Sequence, residues 1–132
     1  MRIVRAAAAV VVGADGRLLL IRRGTDPQRG CWSVPGGRVE PGETVAGAAV
    51  REALEETGAR VRAERELGVV RVPGGPGVVY EVHDVAATYL GGTLRPGDDA
   101  DEVRWVAPQE LSALRTTDGL LEHLARFGIA VR

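Results

Sequence analysis

Apolar positions in the early part of the chain come as runs rather than as an alternation. Ile3 to Val12 and Leu18 to Ile21 are almost unbroken apolar stretches on either side of Gly13-Ala14-Asp15-Gly16. Runs this uniform predict strands covered on both faces, here about Ile3 to Val12 and Arg17 to Arg22, inside a sandwiched sheet. The Asp-Gly turn between them predicts a hairpin. A polar loop from Arg22 to Pro27 follows, then a short extended piece, Cys31-Trp32-Ser33-Val34, that leads into Pro35-Gly36-Gly37. Pro35 keeps Val34 extended, and the glycine pair permits backbone angles closed to other residues, so the backbone there can come close to a ligand.

The pattern then changes to a helical one. Thr44 is a good N-cap for a helix that runs to about Thr57 and is stopped by Gly58 in the position after the last turn. At 100° per residue Glu52, Glu55 and Glu56 share one arc, while Ala46, Gly47, Val50, Ala53 and Leu54 lie opposite. One face is expected to pack and the other to be acidic. Val45, Ala48 and Ala49, upstream on the acidic side, are small enough for another segment or a ligand to sit close.

Beyond the helix, Arg60 to Glu66 and Val69 to Val72 read as strand pieces, and the Gly-Pro loop from Pro73 to Gly77 leads into a long strand, Val78 to Leu90, ended by Gly91-Gly92. An acidic loop from Arg95 to Glu102 precedes a short strand, Val103 to Val106. Pro108 opens a short helix to about Leu114. Asp118 is expected to cap a last helix whose Leu120, Leu121, Leu124 and Phe127 recur at helical spacing until Gly128. Strands and helices interleave with no repeat and no linker, which predicts an α/β fold in one domain, residues 1–132.

Composition narrows the chemistry. Hydrophobic residues make up 45% and charged residues 27%, values of a globular chain, and the net charge is -1. No overall field draws it to nucleic acid or to a membrane, and no segment approaches the roughly 20 apolar residues of a membrane span. The basic residues before Ala6 resemble the start of a signal peptide, but the apolar run is short and leads straight into the next one, which fits a strand better. All 17 basic residues are arginine. Without lysine, Schiff-base chemistry and a Walker-type phosphate loop are excluded. A lone cysteine, Cys31, fits a reducing cytoplasm.

The stretch Gly37 to Ala59, GRVEPGETVAGAAVREALEETGA, carries Gly37, Glu43, Arg51, Glu52, Glu55, Glu56 and Gly58 in the spacing G-x5-E-x7-R-E-U-x-E-E-x-G-U, where U is apolar. Three carboxylates on a turn and a half of helix repel one another. A hard divalent cation such as Mg2+, which takes oxygen ligands and bridges carboxylates to phosphates, offsets that repulsion. This spacing is the signature of the Nudix hydrolase family, which the chain resembles over nearly its whole length. Only the apolar positions depart from the usual branched residues, both being alanine, Ala53 and Ala59.

The resemblance implies an α/β/α sandwich around a central mixed β-sheet. It implies Mg2+, with Mn2+ as an alternative, held by Glu52, Glu55, Glu56 and the Gly37 carbonyl. Glu43 and Arg51 are implied as a structural ion pair, with Gly58 as the helix stop. The implied reaction is hydrolysis of the phosphoanhydride bond of a nucleoside diphosphate linked to another group, an oxidised deoxynucleoside triphosphate or ADP-ribose. The general base is implied to be a glutamate of the motif or an acid of a later loop: Glu52 first, then Glu102, Asp99 or Asp101. Arg23 is a candidate grip on phosphate, and Asp99 a candidate substrate contact. Trp32 is either a stacking platform for a base or a core residue beside Cys31. His83 and His123 have no partner at zinc-ligand spacing. A ligand-sensing module of the same family is the alternative to an enzyme; it predicts a damaged motif or an attached DNA-binding domain. Oligomeric state is not set by the sequence, although small members of the family are often homodimers.

Overall fold

The two leading apolar runs form strands, but not a hairpin. In the computed structural model, which describes residues 1–129, β1 (Arg2–Val11) and β2 (Leu18–Arg23) lie in different sheets. The Asp-Gly turn forms, with Gly16 at φ 84°, yet the strands meet only at the bridge between Val12 and Leu18. The reason lies in their composition. Ala6 to Val11 and Leu18 to Ile21 are buried throughout. Strands buried on both faces are best satisfied inside a sheet with a partner on each side.

β1 sits between β4 (Gly36–Arg38) and β6 (Val78–Gly91), antiparallel to the first and parallel to the second. β5 (Arg60–Pro73) completes a mixed sheet of order β4-β1-β6-β5. β2 sits between β3 (Trp32–Ser33) and β7 (Ala100–Val106) in a smaller antiparallel sheet. The two strand pieces expected after the helix are one strand, β5, with register shifts between Ala63 and Arg65 and between Glu66 and Gly68. These irregularities break the alternation that sequence periodicity relies on.

Two cores flank the sheets. Helix α1 (Val45–Thr57) packs Ala48, Ala49 and Ala53 against Ala7, Ala9, Val11, Leu19, Val61 and Val85. On the other side Val10, Leu18, Leu20, Trp32 and Val106 meet Leu111 of a 3-10 helix (Pro108–Ala113) and Leu120 and Leu124 of α2 (Leu120–Arg126). Leu19 points to one core and Leu18 and Leu20 to the other, which is why β2 shows no polar alternation. The layers are helix, sheet, helix. Among the described residues no helix is long and apolar enough to cross a membrane.

The caps of α1 follow the sequence closely. Thr44 accepts from the Gly47 amide at 3.0 Å, and Gly58 closes the helix at φ 78°. Its faces do not. Leu54, Ala46 and Gly47 are exposed, and the small residues Val45, Ala48 and Ala49 turn toward the sheet. Alanines on both surfaces let helix and sheet approach closely, and this outweighs the larger apolar area of Leu54. α2 also differs, because Gly119 in the left-handed region, not Asp118, stands at its N-cap without a side-chain bond. The Asp118 amide instead donates to Gln28 Oε1 at 2.7 Å.

Candidate active site on the edge of the first helix

The loop before α1 is clamped to the helix by one guanidinium. Arg51 donates from Nε to Glu43 Oε2 at 2.7 Å and from Nη2 to Glu43 Oε1 at 3.0 Å, a two-pronged contact. Nη2 also reaches the Arg38 carbonyl at 2.9 Å, which ties the end of β4 to α1. The Glu40 amide donates to Glu43 Oε1 at 3.0 Å. The Arg51 hydrogen bonds, followed by the Glu40 amide, hold the Glu43 carboxyl down at about 2. Arg51 in turn is driven further into its charged form, chiefly by Glu43 and against the cost of its burial. The expected pairing of these two residues is thus present as geometry.

A second pair of carboxylates, Glu52 and Glu56, is compensated only on the Glu52 side, by Arg51. Glu52 lies across the backbone of Gly37, where a β-carbon would stand 2.6 Å from Glu52 Cδ. Gly36 is pressed on its other side against β1, a β-carbon there falling 2.6 Å from the Ala7 carbonyl oxygen. Neither glycine has a positive φ, so close approach, not backbone freedom, is what selects glycine here. The Gly36 amide donates to Glu56 Oε2 at 3.4 Å, a long bond. Burial pushes the Glu56 carboxyl up to about 8, helped by a hydrogen bond with Glu52, by the Glu52 charge and, more weakly, by Asp99, and against the Gly36 amide. Burial and the neighbouring Glu52 thus favour the protonated form of Glu56. Arg51 Nη1 reaches Glu52 Oε1 at 2.7 Å and Glu55 Oε2 at 3.2 Å, with Glu55 well exposed.

A third segment, the acidic loop expected to offer Asp99, wraps the end of α1 in a way the sequence did not suggest. The Arg95 amide donates to the Thr57 carbonyl at 2.9 Å and the Gly97 amide to the Glu56 carbonyl at 3.0 Å. Carbonyls in the last turn of a helix have no partner within it, and this strap supplies one for each. A β-carbon at Gly97 would collide with the Glu55 carbonyl. The glycine is the one local signal from which the strap could have been suspected. It delivers Asp98 and Asp99 opposite the helix glutamates, enclosing a groove of about 500 Å3 lined by Glu52, Glu55, Glu56, Arg95, Asp98 and Asp99.

The remaining candidates lie around this groove. Glu102 is on β7, where it faces Arg22 of β2 and pairs with it at 3.6 Å, and it does not line the groove. Asp101 stands against Gly24. Arg23 has its Nε on the Pro27 carbonyl at 2.7 Å, and the neighbouring Gly24 amide donates to the Asp99 carbonyl at 3.0 Å, so Arg23's loop and the strap are tied together. Trp32 takes the core position: it is 6% exposed and the Arg104 guanidinium stands 4.7 Å from its ring centre. His83 is engaged by Glu66 and Glu81. Among the described residues no three Asp, Glu, His or Cys side chains stand ready-gathered as a metal cage, and Arg51 lies on Glu52 and Glu55.

Comparison with known proteins places the chain in a family. The NUDIX domain model matches residues 2–127. The chain is 40% identical over 96 residues to an ADP-ribose pyrophosphatase from Methanocaldococcus jannaschii, covering 72% of this chain and 57% of that protein. It is 39% identical over 80 residues to an 8-oxo-(d)GTP phosphatase from Mycolicibacterium smegmatis, covering 61% of this chain and 24% of that one. This chain therefore spans little more than half of the first relative and a quarter of the second. A MutT NUDIX hydrolase from Burkholderia pseudomallei superimposes with a TM-score of 0.77 at 30% identity, covering 96% of this chain and 98% of its own. With the motif intact and the family model spanning nearly every residue, the chain belongs to the NUDIX family.

Proposed function

We propose that the chain is a divalent-cation-dependent hydrolase that cleaves the phosphoanhydride bond of a nucleoside diphosphate linked to another group. The observation that carries this reading is the Glu52–Glu56 pair. Burial and the neighbouring Glu52 raise Glu56 to about 8, and Arg51, shared among Glu43, Glu52 and Glu55, makes no ion pair with Glu56 among the described residues. Hard oxygen donors short of positive charge fit Mg2+, with Mn2+ as the alternative. Glu52, Glu55, Glu56 and the Gly37 carbonyl are the residues that would hold it. When bound, the cation supplies charge neutralisation at the phosphates and lowers the pKa of water.

The chain's own residues do the rest. Gly36 and Gly37 let the backbone and Glu52 stand in contact, and the strap closes the groove opposite. Glu52 is the first choice to accept the proton of the attacking water. Among the acids of the later loop, Asp99 lines the groove, whereas Glu102 is engaged by Arg22, so Asp99 is the better second choice. ADP-ribose and oxidised deoxynucleoside triphosphates, for which the two relatives are named, share the chemistry this groove suits. The intact motif favours this reading over a ligand-sensing module.

A phosphate-release assay with Mg2+, coupled to a phosphatase and run over a panel of nucleotides including ADP-ribose and 8-oxo-dGTP, tests the reading. Turnover of at least one substrate, abolished by chelator, is expected. Tight nucleotide binding without turnover of any of them would sink it in favour of the sensing role.

A further inference from the structure

Arg95 stands out when the charges of the groove are assigned to partners. Glu52, Glu55, Glu56, Asp98 and Asp99 all line it, and Arg95 is the single basic residue among the lining side chains. The other nearby cations are occupied. Arg51 is spent on Glu43, the Arg38 carbonyl, Glu52 and Glu55, and Arg23 has its Nε on the Pro27 carbonyl. The Arg95 side chain makes no ion pair within 4 Å and no hydrogen bond among the described residues. The residue is exposed, but its backbone is anchored. Its amide is fixed to the end of α1 at 2.9 Å, and its Cγ runs 3.5 Å from where a β-carbon of Gly58 would be.

A nucleotide diphosphate brings negative charge into a groove already crowded with carboxylates. A divalent cation held at the glutamates offsets the charge on that side, and the phosphate on the strap side needs a donor of its own. A guanidinium presents parallel N–H groups that match two phosphate oxygens, a geometry a solvated surface charge does not require. We propose that Arg95 grips a phosphate of the nucleotide substrate in this way and sets the diphosphate against the Glu52–Glu56 pair. This rests on the hydrolase reading above and deepens it. The strap then has two uses, capping α1 and carrying the substrate's counter-charge on a backbone tied to the glutamates' own helix.

The test is calorimetric titration with ADP in the presence of Mg2+, and with adenosine as the phosphate-free control, on wild type, Arg95→Ala, Arg95→Lys and Arg62→Ala. Arg62 is an exposed strand residue paired with Glu64 and serves as a distant loss of charge. Arg95→Ala is expected to weaken ADP by about ten- to a hundredfold, the range of a charge-assisted hydrogen bond. Arg95→Lys should lose less, Arg62→Ala nothing, and adenosine affinity should not change. In steady state KM should rise more than kcat falls. If Arg95→Ala does not fold by circular dichroism, Arg95→Gln, which keeps the side-chain bulk, takes its place. ADP affinity unchanged by loss of Arg95, with wild type still hydrolysing a member of the panel, overturns the role of Arg95 alone. A wild type that neither turns over any substrate nor binds ADP overturns the hydrolase reading with it.

Discussion

Glu43 and Glu56 belong to one motif and are set in opposite electrostatic states. Glu43 is gripped by both prongs of Arg51 and held at about 2, so it is ionised at any pH the protein meets. Glu56 is pushed up to about 8 by burial beside Glu52, with only one long bond from Gly36 in its favour. The first pair is closed, an anion and a cation that satisfy each other and fix the loop to the helix. The second is open: Glu56 has only the long bond from Gly36, and Glu52 shares Arg51 with Glu43 and Glu55. The motif implies different roles for these glutamates, Glu43 as a partner of Arg51 and Glu52, Glu55 and Glu56 as cation ligands. Their surroundings separate Glu43, held by two bonds from Arg51, from Glu56, which no cation reaches among the described residues.

The largest effect should come from the open half. Glu56→Gln removes the ionisable group while keeping its shape, and turnover is expected to fall by about a hundred- to a thousandfold, the several kcal/mol of a lost cation contact. Circular dichroism should remain that of wild type. Activity near the wild-type level would show that Glu56 does not hold the cation.

Gly37→Ala sharpens the same half sterically. Its β-carbon would stand 2.6 Å from Glu52 Cδ, so the carboxylate must move. Displacement of about an ångström at such a site costs up to about a hundredfold in rate, with little change in Tm. Breaking the closed half is expected to differ in kind. Arg51→Ala strands Glu43 and frees Glu52 and Glu55 together, so Tm falls and activity falls by about ten- to a hundredfold, as for lost positioning partners. Arg51→Lys should not restore it, since an ammonium cannot span both Glu43 oxygens and the Arg38 carbonyl.

The smallest effect tests the opposition away from the groove. Asp84, 7% exposed on β6, is pushed up to about 6 by burial, with Arg126 and His83 acting the other way. A carboxyl raised in the folded state disfavours folding once it must ionise. Its penalty is absent below the unfolded value of about 3.9 and grows as pH rises through about 6. Asp84→Asn should thus stabilise the fold relative to wild type at pH 8, by at most about 3 kcal/mol at about 1.4 kcal/mol per pKa unit and read as a higher Tm, with the gap closing toward pH 4. A gap independent of pH would place the effect in packing instead.

Much of the site could be read from local chemistry. Thr44 and Gly58 bound α1 because caps depend on adjacent residues, and the pairing of Glu43 with Arg51 is implied by the motif. The faces of α1 were misread because the helix packs through Ala48, Ala49 and Ala53 against alanines of β1, where close fit matters more than the size of Leu54. The hairpin failed for a related reason. A turn between apolar runs does not reveal that each strand has partners far away in sequence, Val78 to Ala87 for β1 and Ala100 to Val106 for β2. The acidic loop was legible as a source of Asp99, but its hold on α1 was not, because its bonds to Thr57 and Glu56 join segments some forty residues apart. Its consequence is to place Asp99 and Arg95, rather than Glu102 or Trp32, in the groove.

The most direct test is calorimetric titration of Mg2+ and Mn2+ into wild type and Glu56→Gln at pH 7, in buffers of different ionisation enthalpy. With Glu56 held near 8, the cation must expel a proton to bind. Wild type is predicted to bind with proton release, and Glu56→Gln to bind far more weakly and release none. Equal affinity in the two proteins, or binding to wild type without proton release, would contradict the view that Glu52 and Glu56 form an under-neutralised pair completed by a divalent cation.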